Sequence, residues 1–243
     1  MITSESDTIT PNFIFEEEVV KNPLQKRISL FGLGVVLVTM ACVCTGSGGL
    51  GDLLPQDNPD GAVYFDDFSN PLSGWAQYSG TDGINDYADG GYRILVNETE
   101  YFSWSIIDES FSDASIEVQI KRMAGPFDAE AGIVCRYQDD DNFYLSSITA
   151  DGFYAIAKIS NGDFTVLSGS GEYVESSSIN QGNSSNSLRA DCVGSTLTLY
   201  VNGTLVDSAS DFEFSNGDVG LVAGTFTEAG ADIQFDDFAV YIP

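Results

Sequence analysis

Histidine is absent from the 243 residues, and lysine plus arginine number only 9 against 37 aspartates and glutamates. Without histidine there is no Ser–His pair, no general base of the usual near-neutral kind, and no imidazole for zinc. The formal net charge of −28 repels phosphate backbones and anionic headgroups, which excludes nucleic acid as a partner. Residues 61–243 hold 29 acidic and 6 basic side chains, so the acidity belongs to the folded part, where it favours solubility and cation accumulation. The four cysteines, Cys42, Cys44, Cys135 and Cys192, form no C-x-x-C pair, so zinc ribbons and thioredoxin-like sites are unsupported. Beyond residue 61 no run of ten residues carries a helical period.

The first sixty residues differ from the rest. Residues 1–27 are polar and acidic, with Glu16, Glu17 and Glu18 in succession, and read as a disordered cytoplasmic tail. Residues 28–45 carry no charge and follow directly on Lys26 and Arg27, so they predict a single hydrophobic anchor helix entering from the cytoplasmic side. Three fates stay open for it: a retained transmembrane anchor, a lipoprotein signal cut before Cys42, and a cleaved signal peptide. The lipoprotein fate rests on Thr39-Met40-Ala41-Cys42, which has the small residue before a lipidated cysteine but not the usual aliphatic residue at its start. Residues 46–60 are a Gly/Ser/Pro linker. The sequence thus predicts a cell-membrane protein, single-pass or lipid-anchored, with its domain, 61–243, on the extracytoplasmic side.

That domain predicts an all-β fold. In Ser115–Lys121, Ile116, Val118 and Ile120 alternate with Glu117, Gln119 and Lys121. In Thr196–Asn202, Leu197, Leu199 and Val201 alternate with Thr198 and Tyr200. Asn202-Gly203, Asp151-Gly152 and Asn161-Gly162 are hairpin signals between such runs. About a dozen strands at this spacing indicate two stacked antiparallel sheets. The FDDF of Phe65–Phe68 returns at Phe235–Phe238, which predicts first and last strands side by side.

The segments GYRILV, SIEVQIK, AGIVCRYQDDDNFYLSSITADGFYAIAK, NSLRADCVGSTLTLYVNG, GDVGLVAGTF and IQFDDFAVYIP follow one another in an order that resembles the concanavalin A-like lectin/glucanase superfamily. More narrowly, they are similar to laminin-G-like domains and bacterial domains named after 3-keto-disaccharide hydrolases. The resemblance implies a jelly-roll sandwich. It also implies a structural Ca²⁺ where the terminal strands meet, held by an Asp of a closing strand reading Asp-Asp-x-x-x-Tyr. Asp236 matches that position, and Asp66 stands in the partner FDDF.

The glucanase branch carries a Glu-x-Asp-x-x-Glu strand, and no strand here supplies that triplet. Binding asks instead for an aromatic ring and planar polar groups on one face. The face opposite the apolar positions carries Glu117, Gln119, Thr198 and Tyr200, and alternation from a core-facing Cys135 adds Arg136. Trp75 and Trp104 are further candidate platforms, although tryptophans in sandwiches more often fill the core. The expected partner is a carbohydrate or other cell-envelope component, against two rivals: a keto-sugar hydrolase and a protein-binding ectodomain.

Cys135 shares a strand face with Ile133, and Cys192 with Leu188 and Ala190. Both point to the core and both lie on the oxidising side of the predicted membrane, so a Cys135–Cys192 disulfide is expected.

Overall fold

A computed structural model describes residues 58–243. The tail, the hydrophobic segment with Cys42, and the linker as far as residue 57 lie outside the described residues. No described helix is long and apolar enough to cross a membrane.

Sixteen strands follow in order: β1 (Ala62–Asp66), β2 (Tyr78–Ser79), β3 (Gly83–Ala88), β4 (Gly91–Val96), β5 (Phe102–Phe111), β6 (Ala114–Ala124), β7 (Glu130–Asp139), β8 (Asn142–Thr149), β9 (Phe153–Ser160), β10 (Asp163–Val166), β11 (Val174–Glu175), β12 (Asn186–Val193), β13 (Thr196–Val201), β14 (Thr204–Ser210), β15 (Gly217–Gly224) and β16 (Ala231–Tyr241). A nine-stranded sheet runs β14-β13-β12-β6-β16-β4-β3-β2, with β1 also on β16. A seven-stranded sheet runs β10-β9-β8-β7-β15-β5, with β11 also on β9. The expected meeting of the two ends is present: Asp66 lies opposite Phe238 in an antiparallel β1–β16 ladder. At the hairpin tips, Asn161-Gly162 and Asn202-Gly203 each place both residues at positive φ, as a tight turn between twisted strands requires.

The core lies between the sheets. Ile116, Val118, Ile120, Leu197, Leu199 and Val201 enter it from the nine-stranded sheet, as their alternation predicts. Ile133, Tyr144, Ile156 and Leu221 enter it from the seven-stranded sheet. Their chain neighbours Val134, Phe143, Leu145, Ala157 and Val222 form a second buried cluster with Trp104 and Tyr137. Since successive strand residues face opposite ways, this cluster covers the far side of the seven-stranded sheet. That sheet is buried on both faces.

The disulfide joins Cys135 of β7 to Cys192 of β12, with 6.8 Å between the Cα atoms, and so ties one sheet to the other. Alternation stops immediately after Cys135. Arg136 has φ of 53°, and the β7–β8 register shifts between Cys135 and Asp139. This bulge turns Arg136 away from the polar face on which simple alternation places it. The side chain is 2% exposed and donates to the carbonyls of Ser112, Phe214 and Cys192 at 3.2, 2.9 and 3.3 Å. It packs the backbone around the disulfide, in the other sheet from the residues expected to join it.

Candidate ligand-binding face

The remaining four predicted residues come together. Glu117 and Gln119 on β6 and Thr198 and Tyr200 on β13 share the outer face of the nine-stranded sheet, with β12 between them. Glu117, Arg189 and Tyr200 stand in one cross-strand row. Arg189 is the residue that sequence reasoning missed, although its place between the core residues Leu188 and Ala190 puts it on this face by alternation. Its guanidinium pairs with Asp191 through two bonds of 2.7 and 2.9 Å and lies 5.0 Å from the Tyr200 ring centre. Thr198 and Ser208 share a hydroxyl bond of 3.2 Å. On β16, core-facing Val240 leaves half-buried Tyr241 on this outer face, where burial and then the Glu117 carboxylate raise its phenol pKa. The result is a polar surface carrying two aromatic rings, an exposed amide, a guanidinium held by its ion pair, and carboxylate acceptors, which suits the hydroxyls and apolar faces of sugar rings.

The two carboxylates expected to share a calcium ion stand in different surroundings. Asp66 is buried, and its two oxygens accept the Phe68 amide at 2.7 Å and the Trp75 indole at 2.9 Å. Asp236 is half-buried outside the core, where burial and then the charges of Asp237 and Asp67 raise its pKa. Among the described residues no group of three or more metal-ligating side chains stands together. Both tryptophans are buried, as expected: Trp75 lies in the main core, and Trp104 in the second cluster.

Glu130, at the start of β7, is fully buried. Ser147 donates to one of its oxygens, and the Tyr173 hydroxyl donates to the other at 2.7 Å. Burial pushes its pKa up to about 7, against the lowering effect of the two hydroxyls. The signal for it was a lone glutamate heading the run EAGIVCRY, whose apolar residues occupy both strand faces. Among the described residues its environment consists of burial and these hydroxyls, with no second carboxylate acting on it. The carboxylate pair of a glycosidase is not built around it.

No family model and no curated protein sequence matches the chain. Solved structures do match in fold. Carbohydrate-binding module CBM66 from Bacillus subtilis is 22% identical with a TM-score of 0.56, covering 69% of this chain and 95% of that one. A β-glucanase from Bacillus licheniformis is 12% identical with a TM-score of 0.54, covering 76% and 100%. A protein of unknown function with a galectin-like fold from Bacillus subtilis is 12% identical with a TM-score of 0.54, covering 74% and 96%. The described domain has the concanavalin A-like sandwich fold, in agreement with the resemblance read from the sequence.

Proposed function

We propose that this chain is a membrane-anchored extracytoplasmic module that binds neutral carbohydrate through the outer face of the nine-stranded sheet. The observation that carries the reading is the row Glu117–Arg189–Tyr200, flanked by Gln119 and Thr198. Its Arg–Tyr stack and bidentate ion pair hold planar polar groups and a ring in fixed positions before a ligand arrives, which lowers the ordering cost of binding. The fold neighbours include a carbohydrate-binding module, which agrees with this reading. Net charge restricts the ligand: with −23 over residues 61–243, an anionic polymer is repelled and a neutral one is not. Hydrolysis is the weaker reading, because Glu130 lacks a carboxylate partner. The interior disulfide supports an oxidising compartment, and the uncharged 28–45 segment after Lys26-Arg27 supports the anchor.

The test is a neutral-glycan array probed with the full chain in detergent, beside the Tyr200→Ala variant. Retention of a neutral glycan, weakened about tenfold or more by Tyr200→Ala, is expected, since a stacked ring is commonly worth that much. Release of reducing ends would establish an enzyme instead, and silence on the array would favour a protein-binding ectodomain. In cells, the chain should sediment with membranes and external protease should remove the domain.

A further inference from the structure

Phe212 is 89% exposed, more than any other large apolar side chain among the described residues. Its backbone is nevertheless held on both sides. The Asp211 amide donates to the Ser195 carbonyl at 3.0 Å, which carries the β13–β14 ladder one step past Ser210. The Asp211 carboxylate accepts from Tyr144 and Lys158 at 2.5 and 2.8 Å, and the Glu213 carboxylate from Lys158 and Ser160 at 2.7 and 2.6 Å. The Phe214 amide donates to the Tyr144 hydroxyl at 3.1 Å. None of these bonds uses the 212 side chain, so the fold does not require a ring there. One exposed ring is ordinary on a protein surface; what leads up to this one is not. Asp211 and Glu213 both reach Lys158 of the seven-stranded sheet, so the residue between them is turned the other way, towards the outer side of the nine-stranded sheet. On that side β13 and β14 present Thr196, Thr198 and Tyr200 beside Ser210, Ser208 and Leu205. Asp207 is the one charged residue of the two strands. It lies opposite core-facing Leu199 and accepts the Gly169 amide at 3.1 Å, so it points away from the strip. A chain of net charge −28 thus carries an uncharged strip of hydroxyls that begins at the Tyr200 ring and ends at Phe212.

We propose that Phe212 is a second stacking ring of the sugar site, and that the strip from Tyr200 to Phe212 takes a linear, neutral, β-1,4-linked polysaccharide lying along the strands. The inference rests on the carbohydrate reading above and names a substrate class for it. Tyr200 and Thr196 are about 14 Å apart along β13, and Phe212 lies beyond Ser210, the partner of Thr196. A disaccharide cannot touch both rings. An extended chain can, with its hydroxyls bonded between them by Thr198, Ser208 and Thr196. Extended β-1,4 chains present flat ring faces that suit two aromatic rings on one side, whereas coiled chains turn those faces away. A lipid surface or an apolar protein pocket fits less well, because inserting Phe212 into either would draw the Asp211 and Glu213 carboxylates out of water beside it.

Calorimetry on the full chain in detergent with cellobiose and cellohexaose tests this directly. The two share one linkage and differ only in length. Cellohexaose should bind about tenfold more tightly, as one added stacked ring predicts. Phe212→Ala should bring cellohexaose down to the cellobiose level and leave cellobiose unchanged, while Tyr200→Ala should weaken both. Phe212→Tyr keeps a ring and should keep the preference. Since the Phe212 ring is almost fully exposed, Phe212→Ala should melt with the parent protein, which separates lost binding from lost folding. Equal affinity for the two sugars, with both weakened by Tyr200→Ala, would overturn the strip and leave the Tyr200 platform standing. A cellohexaose preference that survives Phe212→Ala, or that is lost in Phe212→Tyr as well, would also overturn it. Binding of neither sugar would overturn the strip, and a silent neutral-glycan array would then remove the carbohydrate reading with it.

Discussion

The rings of Phe102 and Phe164 stack at 5.9 Å although their strands, β5 and β10, are opposite edges of the seven-stranded sheet. In a flat sheet five interstrand steps would separate those edges by about 24 Å. The sheet therefore curls over its outer face, and the aromatic side chains close the trough. This explains how Val134, Phe143 and Val222 are fully buried on a face that no second sheet covers. Phe164→Ala should destabilise the domain by about 2 kcal/mol, as the loss of a half-buried ring and its stacking partner predicts. The urea midpoint measures this. An unchanged midpoint would mean that the ring contact contributes nothing to the curl.

The Cys135–Cys192 bond closes a loop across 57 residues and links the two layers of the sandwich. In the chain-entropy description a loop of that length is worth about 4 kcal/mol, as an upper figure. Replacing both cysteines by alanine should lower the melting temperature steeply, whereas reduction should have little effect until the sheets separate, because both cysteines are buried. Alkylation and mass mapping of protein from an oxidising compartment should find neither thiol free. Two alkylated thiols in folded protein would contradict the bond.

Asp66 accepts hydrogen bonds from the Trp75 indole and the Phe68 amide. Asp66→Ala leaves the Trp75 indole and the Phe68 amide without their acceptor inside the core, which should cost about 2–4 kcal/mol. Melting curves with and without millimolar Ca²⁺ separate this role from a metal site. A bound structural ion raises the melting temperature by mass action. The expected result is the same loss in both buffers and no rise for the parent protein. A Ca²⁺-dependent rise that Asp236→Ala abolishes would establish a calcium site instead.

Much of this architecture was legible in the sequence because it depends on period and turn chemistry. Alternation placed Ile116, Val118 and Ile120 in the core and Glu117 and Gln119 outside, and it gave the facing of both cysteines. Arg136 was misplaced because a bulge at a non-glycine residue leaves no mark on the alternation it breaks. The curl of the seven-stranded sheet was also hidden, since contact between its edges joins residues 62 positions apart that share no local pattern. Glu130 was hidden as well, since the Tyr173 hydroxyl that bonds it lies 43 positions along the chain.

Glu130 should give the domain a pH-dependent weakness. Its pKa rises from an ordinary 4.5 to about 7 on folding. Below about pH 4.5 the carboxyl is protonated in both states and has no effect on stability. As pH rises towards 7, the folded state keeps a proton that the unfolded state has released, so stability falls. Above 7 the full penalty of a buried anion applies, about 3 kcal/mol. Glu130→Gln keeps an acceptor for the Ser147 or Tyr173 hydroxyl and cannot ionise. The variant should match the parent near pH 4 and exceed it by up to about 3 kcal/mol at pH 8, measured by denaturant unfolding at each pH. Parallel stability curves from pH 4 to pH 8 would show that water or structural relaxation already solvates the Glu130 anion.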